Sequence, residues 1–304
     1  MKAVRFDEYG DVDVLKVIEV PTPEPGPDQV LVEVRAAGIN PGEAKIRLGL
    51  LHDRFPATFP SGEGSDLAGT VVAMGRGVVG IAEGQEVIGY TDNRASHAER
   101  VVVDAGNLTP KPAEVPWDVA GSLFVAGATA YAAVRAVGLA AGDTVVVAGA
   151  TGGVGSIAVQ LARLAGATVI GIASRAHHGW LERHGVIPVE YGDGVADRIR
   201  QAAGHLDAFI DTVGKDYVRV ALDLGVEPAR VDTIVDFAAV AELGVQAQGN
   251  AAGASAAVLA DLAGLVATDR LEVPIAATFP LADVSEAYRT LDRGGLLGKI
   301  VLTT

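Results

Sequence analysis

Residues 145–166 read VVVAGATGGVGSIAVQLARLAG. A continuous apolar run meets a knot of glycines and opens directly into an apolar-periodic helix. No other feature restricts the fold as much. A strand apolar on both faces belongs to a parallel sheet, and parallel strands need helical crossovers. The same turn points the helix N-terminus at whatever lies above the strand end, where free N–H groups and the helix dipole favour phosphate. A dinucleotide turn is usually spaced G-x-G-x-x-G. Here it reads Ala150-Thr151-Gly152-Gly153-Val154-Gly155, with alanine at the first glycine. Gly152 lets the backbone approach a pyrophosphate, and Gly155 lets helix and strand pack closely. Glycines also serve purely steric ends in βα turns, but strand before and helix after is the context that the nucleotide reading requires.

The rest of the chain divides around this unit. KAVRF, LKVIEV, QVLVEVRAAGI, GTVVAMG, EVIGY and AERVVVD, all within the first 120 residues, read as short strands separated by Gly and Pro. They suggest a compact, mostly antiparallel β domain. From about Pro116 apolar strands alternate with alanine-rich helices: TVVVAGA, SIAVQLARLAG, TVIGIAS, AHHGWLERHG, DGVADRIRQAAG, DAFIDTVG and DYVRVALDLG. That rhythm predicts an α/β fold with a doubly wound, Rossmann-type parallel sheet. The tail, EVPIAATF to KIVLTT, reads either as an extension of this unit or as a return to the first.

Composition narrows the function. With 38 acidic against 24 basic residues the net charge is −14, which repels nucleic acid and anionic membrane surfaces. An anionic cofactor must therefore be held by local groups. The chain has no cysteine, so disulfides, thiolate metal sites and a Cys nucleophile are excluded. No stretch approaches the roughly 20 apolar residues of a membrane helix, and the N-terminus lacks the apolar core of a signal peptide. A cytoplasmic protein is expected. Neither a G-x-S-x-G elbow nor a P-loop is present.

NAD sites usually place a carboxylate at the end of the second strand for the ribose hydroxyls. Here TVIGIAS ends in Ser174-Arg175. A hydroxyl and a guanidinium suit a 2′-phosphate, so the site favours NADPH. An exposed arginine at a helix start is the simpler alternative. Of the six histidines, His177, His178 and His184 fall on one helix without metal-ligand spacing and are expected on a solvated face.

Six segments in order carry a family resemblance: AGINPGEAKIRLG (37–49), GSDLAGTVVAMG (64–75), AGATAYAAV (126–134), GDTVVVAGATGGVGSIAVQLA (142–162), DAFIDTVG (207–214) and GGLLGKIVL (294–302). The chain resembles the zinc-independent, zeta-crystallin-like quinone oxidoreductases of the medium-chain dehydrogenase/reductase superfamily. The resemblance implies a GroES-like catalytic domain at 1–118, a Rossmann-type NADPH-binding domain at 119–270, and a C-terminal segment at 271–304 returning to the first. The active cleft then lies between them, and a homodimer is expected. Zinc-dependent relatives carry a Cys near the position of Asn40 and a His-Glu pair where Ser65-Asp66 stands, so no zinc ligand set is expected.

By position the resemblance places Asn40, of the G-x-N element, in the nicotinamide pocket, where it would polarise the acceptor oxygen; a turn or capping role is the alternative. Thr129 is matched to the nicotinamide side and Tyr131 to the cofactor, although helix packing would explain Tyr131 as well. Tyr191 is matched to the adenosine phosphate beside Ser174 and Arg175. Val213-Gly214 and Phe237-Ala238 would close over the cofactor. Gly249-Asn250 and Lys299 would neighbour it from the domain seam, or Lys299 would be a surface charge. Where relatives often carry a tyrosine at the substrate mouth, this chain has Leu50-Leu51-His52. Leu51 and His52 are expected to line that mouth, or His52 to face water.

Without a Lewis acid, reduction of an electrophilic acceptor is easier than alcohol oxidation, because charge delocalises through the conjugated carbonyl. The expected activity is NADPH-dependent hydride transfer to a small quinone or related acceptor. An enone or enoyl reductase is the alternative, as is a structural or regulatory protein that binds NADPH with little turnover.

Overall fold

The computed structural model describes all residues, 1–304. The six Val- and Ile-rich runs are strands β1 (Lys2–Phe6), β2 (Lys16–Glu19), β3 (Gln29–Gly38), β5 (Asp66–Met74), β6 (Glu86–Tyr90) and β7 (Arg100–Asp104), with short β4 (Ser61–Gly62) and β8 (Leu108–Pro110) between and after them. One helix, α1 (Pro41–Arg47), interrupts this region, started by Pro41 at its first position. β3 is the axis of the larger sheet. One of its edges pairs with β5 along most of its length, and the other pairs with β7 near its start.

α2 (Trp117–Ala120) and α3 (Leu123–Ala136) lead into the parallel unit. Its strands are β9 (Thr144–Ala148), β10 (Thr168–Ala173), β11 (Ile187–Glu190), β12 (Ala208–Asp211) and β13 (Val231–Thr233). They lie in the order β11-β10-β9-β12-β13, all parallel. The order reverses beside β9, so the crevice at its carboxyl end is the topological switch point where ligands of such sheets bind. Val145, Val146, Val147 and Ala148 have no exposed surface, as a central parallel strand requires. The crossover helices are α4 (Gly153–Leu164), α5 (His178–Arg183), α6 (Val195–Ala202) and α7 (Tyr217–Asp223), followed by α8 (Phe237–Leu243), α9 (Asn250–Gly253) and α10 (Ala256–Ala267).

The tail carries β14 (Ile275–Pro280), α11 (Val284–Arg293) and β15 (Lys299–Thr303). β15 pairs antiparallel with β3, Val301 opposite Gly38, and β14 adds parallel to β15. α11 buries Val284, Ala287 and Tyr288, one face at helical spacing, against the sheet. The architecture is the expected mixed fold, a β domain joined to a Rossmann-type sheet. No helix is long and apolar enough to cross a membrane.

Candidate active site

After β9, Gly149 turns the chain at φ +73°. Ala150 takes the place of the first glycine of the turn because Gly171 lies beside it on β10; a Cβ on Gly171 would stand 2.9 Å from that of Ala150. Gly155 has no such freedom, since a Cβ there would stand 2.0 Å from the Gly149 carbonyl oxygen. Gly152 caps α4 and offers no side chain. A parallel bridge turns the Gly153 N–H to the Gly298 carbonyl, whereas the N–H groups of Val154 and Gly155 have no acceptor within the protein and are free for an anion. From the other domain, Gly298 donates its N–H to the Thr151 carbonyl at 2.8 Å.

Ser174 and Arg175 follow β10, and Tyr191 follows β11. Ala173 lies opposite Glu190 in the ladder, so these residues leave neighbouring strand ends. Arg175 is exposed and makes no ion pair. Arg198 holds the Tyr191 turn by donating to the carbonyls of Glu190, Tyr191, Gly192 and Asp193. The histidines do not lie on a solvated face. His177 is half-buried, its Nδ1 lying 3.3 Å from Ser174 Oγ and 3.4 Å from Thr151 Oγ1. His178 Nε2 is buried without a partner. His184 packs on Trp180, ring centroids 4.0 Å apart, and reaches Glu272 at 3.0 Å.

At the other end of the crevice Val213 and Gly214 donate their N–H groups to Asp211 Oδ1, each at 2.9 Å, which fixes the turn after β12. Phe237 and Ala238 open α8 with exposed side chains, capped by Asp236. Gly249 and Asn250 begin α9, and Asn250 Nδ2 is buried with no partner. On α3, Thr129 donates to the Val125 carbonyl at 2.6 Å, and Tyr131 accepts from Arg135 at 3.3 Å on the exposed side.

Asn40 is committed within the protein. Its Nδ2 donates to Glu43 Oε1 and Asp66 Oδ2, both at 3.2 Å, and its Oδ1 accepts from Lys299. Neither amide hydrogen is left, so polarisation of an acceptor oxygen by this side chain is not what the arrangement offers. Lys299 is no surface charge either: at 4% exposure it also donates to the Ile39 carbonyl at 3.1 Å. Around this pair lies a buried polar cluster. Tyr288 donates to Glu43 Oε2 at 3.1 Å, Arg47 pairs with Glu63 at 2.5 Å and lies 4.4 Å from the Tyr288 ring centre, and His97 Nε2 lies 3.1 Å from the Gly38 carbonyl. Two cations thus face three carboxyl groups. Burial pushes Glu63 up to about 7 against the pull of Arg47, and also raises Glu43, Asp66 and Tyr288. The same burial pulls His97 down to about 4. Asp66, the position matched to a zinc ligand, is spent on Asn40, Lys299 and the Val125 N–H.

Residues 26–136 match the alcohol dehydrogenase GroES-like domain, and residues 186–302 match the zinc-binding dehydrogenase model. The quinone oxidoreductase structure from Coxiella burnetii superposes with a TM-score of 0.89, at 30% identity, covering 100% of this chain and 99% of that one. The chain belongs to the quinone oxidoreductase family of the medium-chain dehydrogenases/reductases. Among curated relatives of this quinone oxidoreductase family chain, the 2-methylene-furan-3-one reductase of Solanum lycopersicum is 38% identical over 175 residues, 54% of this chain and 44% of that protein. The chloroplastic NADPH-dependent alkenal/one oxidoreductase of Arabidopsis thaliana is 37% identical over the same shares. The aligned segments span about half the length of these relatives or less.

Leu51 and His52, the residues expected at a substrate mouth, lie on one loop beside Tyr9 and Arg54. The loop Gly49–Arg54 lines a cavity of about 250 Å³. His52 Nδ1 lies 2.7 Å from Tyr9 Oη, which also accepts from Ala57 N–H at 2.9 Å, and the Tyr9 ring meets Phe59 edge-on. The guanidinium of Arg54 lies 5.3 Å from the Phe55 ring and 5.7 Å from the Phe237 ring of the other domain. Neither grouping could be read from the sequence, because Tyr9 meets His52 and Phe59, and Arg54 meets Phe237, only across long stretches of chain. The signal for Tyr9 was only an aromatic beside a glycine.

Proposed function

We propose that the chain is an NADPH-dependent reductase that delivers hydride to a quinone or a conjugated enone. The observation that carries this reading is a crevice with two unpartnered N–H groups at the glycine turn, those of Val154 and Gly155, a hydroxyl and a free guanidinium at the end of β10, and no carboxylate there. Such a set suits a pyrophosphate and a 2′-phosphate rather than a bare ribose diol. The buried, unpartnered Asn250 Nδ2 suits a carboxamide oxygen at the opposite end. When bound, the reduced nicotinamide supplies the hydride.

In this reading Gly152–Gly155 with Ala150 and Thr151 hold the pyrophosphate, and Ser174, Arg175 and Tyr191 hold the adenosine half. Val213, Gly214, Phe237, Ala238 and Gly249 shape the walls. Asn40 and Lys299 fix the floor; Thr129 and Tyr131 stand on the helix at the seam. The proposed units are 1–118 with 271–304, and 119–270, acting as a cytoplasmic homodimer. Phe55, Phe237 and Leu50, the last 69% exposed, offer a planar acceptor an apolar approach. The names of the tomato and Arabidopsis relatives, both reductases or oxidoreductases of conjugated carbonyls, support that substrate class. Because Asn40, Thr129 and Lys299 are all internally bonded, they favour an acceptor that disperses its own negative charge.

The test is loss of reduced-nicotinamide absorbance with p-benzoquinone and with methyl vinyl ketone, NADPH beside NADH. Rapid loss with NADPH alone supports the reading, and the faster acceptor names the class. Equal rates with both cofactors overturn the 2′-phosphate assignment. Tight NADPH binding with no turnover on either acceptor replaces it with a binding role.

A further inference from the structure

We infer that Arg54 makes this site prefer planar acceptors that carry an anionic substituent, a carboxylate or sulfonate, beside the conjugated carbonyl. The assignment rests on the quinone and enone reading and narrows its substrate class. Arg54 is exposed on the loop that lines the cavity of about 250 Å³, and its side chain makes no ion pair and no hydrogen bond. Its guanidinium meets two aromatic rings, one from each side of the crevice, 5.3 Å away at Phe55 and 5.7 Å away at Phe237. Both rings are nearly half exposed, Phe55 at 44% and Phe237 at 48%, which leaves flat apolar surface for a planar guest. A guanidinium resting on ring faces keeps its N–H edges free for an anion.

The loop that carries Arg54 is braced on both flanks. Tyr9 Oη lies 2.7 Å from His52 Nδ1 and accepts from the Ala57 N–H at 2.9 Å. Arg94 donates to the carbonyls of Phe55 and Pro56, at 3.4 and 2.8 Å. The Phe55 N–H closes the turn on the Leu51 carbonyl at 2.7 Å. Arg54 thus stands on a fixed turn, and less order is lost when a ligand binds there. No carboxylate of the protein claims it. Asp236, beside Phe237, accepts from the Ala239 N–H, and Asp53 pairs with no cation. A net charge of −14 repels anions at long range, so an unpaired cation at the cavity discriminates only among molecules already there. Asn40, Thr129 and Lys299 are bonded within the protein. Arg54 is the charged group left to choose among acceptors, and its paired N–H donors match one carboxylate or sulfonate. It reads the substituent and takes no part in the hydride step.

The experiment compares 1,4-naphthoquinone with 1,4-naphthoquinone-2-sulfonate as acceptors from NADPH, in the full chain and in Arg54→Gln and Arg54→Lys. The readout is the ratio of kcat/KM for the sulfonate to that for the parent quinone. Intrinsic reactivity of the two quinones cancels when this ratio is compared between variants. Arg54→Gln should lower the ratio about fivefold, through KM for the sulfonate, and leave the parent quinone unchanged within about twofold, as an exposed charge pair would. Arg54→Lys should keep most of the ratio, and roughly 0.5 M salt should erode it in the unaltered chain. A ratio unmoved by Arg54→Gln overturns the inference, as does an equal loss for both quinones, the mark of a structural arginine. In either case the reductase reading survives. If neither quinone is reduced, that reading fails, and calorimetric binding of naphthalene-2-sulfonate beside naphthalene-2-sulfonamide decides the anion site alone. A sulfonate preference that Arg54→Gln abolishes supports it; equal binding of the two overturns it. Arg54→Gln removes an exposed side chain without a hydrogen bond, so the fold is not at risk.

Discussion

Lys299 Nζ and Asp66 Oδ2 lie 3.5 Å apart, one on the last strand and the other on β5, both out of reach of water. Removing one partner of such a pair leaves the other charge buried and uncompensated. Lys299→Met should lower unfolding free energy by about 3–5 kcal/mol. Adding Asp66→Asn should recover part of it, a non-additivity above about 1 kcal/mol. Urea unfolding of the single and double variants measures this. Strictly additive losses would show that the two charges are not coupled.

Glu63 and His97 sit in the same cluster and titrate in opposite senses. Glu63 is raised from the usual 4.5 to about 7, so its contribution is present below about 4.5 and lost as pH rises through about 7. His97 is lowered from 6.5 to about 4, so its contribution is present above about 6.5 and lost as pH falls through about 4. Between them the two slopes oppose. Glu63→Gln should leave a chain that loses stability only on the acid side of this window, and His97→Gln one that loses it on the neutral side. Melting temperature against pH separates them; parallel profiles for the two variants would contradict the assignment.

Two glycines of one turn should respond differently to a single methyl group. Gly155→Ala drives a Cβ into the Gly149 carbonyl and should cost about 3 kcal/mol or more. At Gly152 the nearest atom would be that carbonyl oxygen at 3.4 Å, with φ at −72°, so Gly152→Ala should keep stability within about 1 kcal/mol. On the proposed reading, in which the pyrophosphate passes over Gly152, NADPH binding should still weaken at least tenfold. Thermal melting and fluorescence titration together decide it.

Arg175→Ala removes an exposed, unpaired guanidinium, so stability should move by no more than about 0.5 kcal/mol. A charge-assisted hydrogen bond contributes about 1.5–3 kcal/mol, so NADPH should bind roughly 10- to 100-fold more weakly, at about 1.4 kcal/mol per tenfold. NADH should be unaffected. Equal weakening of both cofactors would make the arginine structural.

The parts of the fold and site that could be read in advance are those written in adjacent residues. The glycine turn, the apolar run of β9 and the absence of a carboxylate after β10 each occupy a few consecutive positions. The polar cluster does not. Asn40 and Asp66 meet through the pairing of β3 with β5, Tyr288 and Lys299 join them only because the tail returns to β3, and nothing local at Lys299 separates a buried amine from a surface one. His177 misled for a related reason: its spacing within the helix says nothing of Thr151, 26 residues earlier. Asn40 was expected to polarise an acceptor oxygen, and the hydrogen bonds that occupy its side chain instead join it to residues that sequence does not bring near it.

The two halves of the molecule are fastened unequally. At one margin of the crevice the Gly298 N–H is bonded to the Thr151 carbonyl, and Lys299, the next residue, is anchored to Ile39 and Asn40. At the other margin a guanidinium rests 5.7 Å from the Phe237 ring, a contact of about 0.5–1 kcal/mol at an exposed site. A force that parted the two halves would therefore break the Arg54 margin first and leave the seam at Thr151 and Gly298 closed.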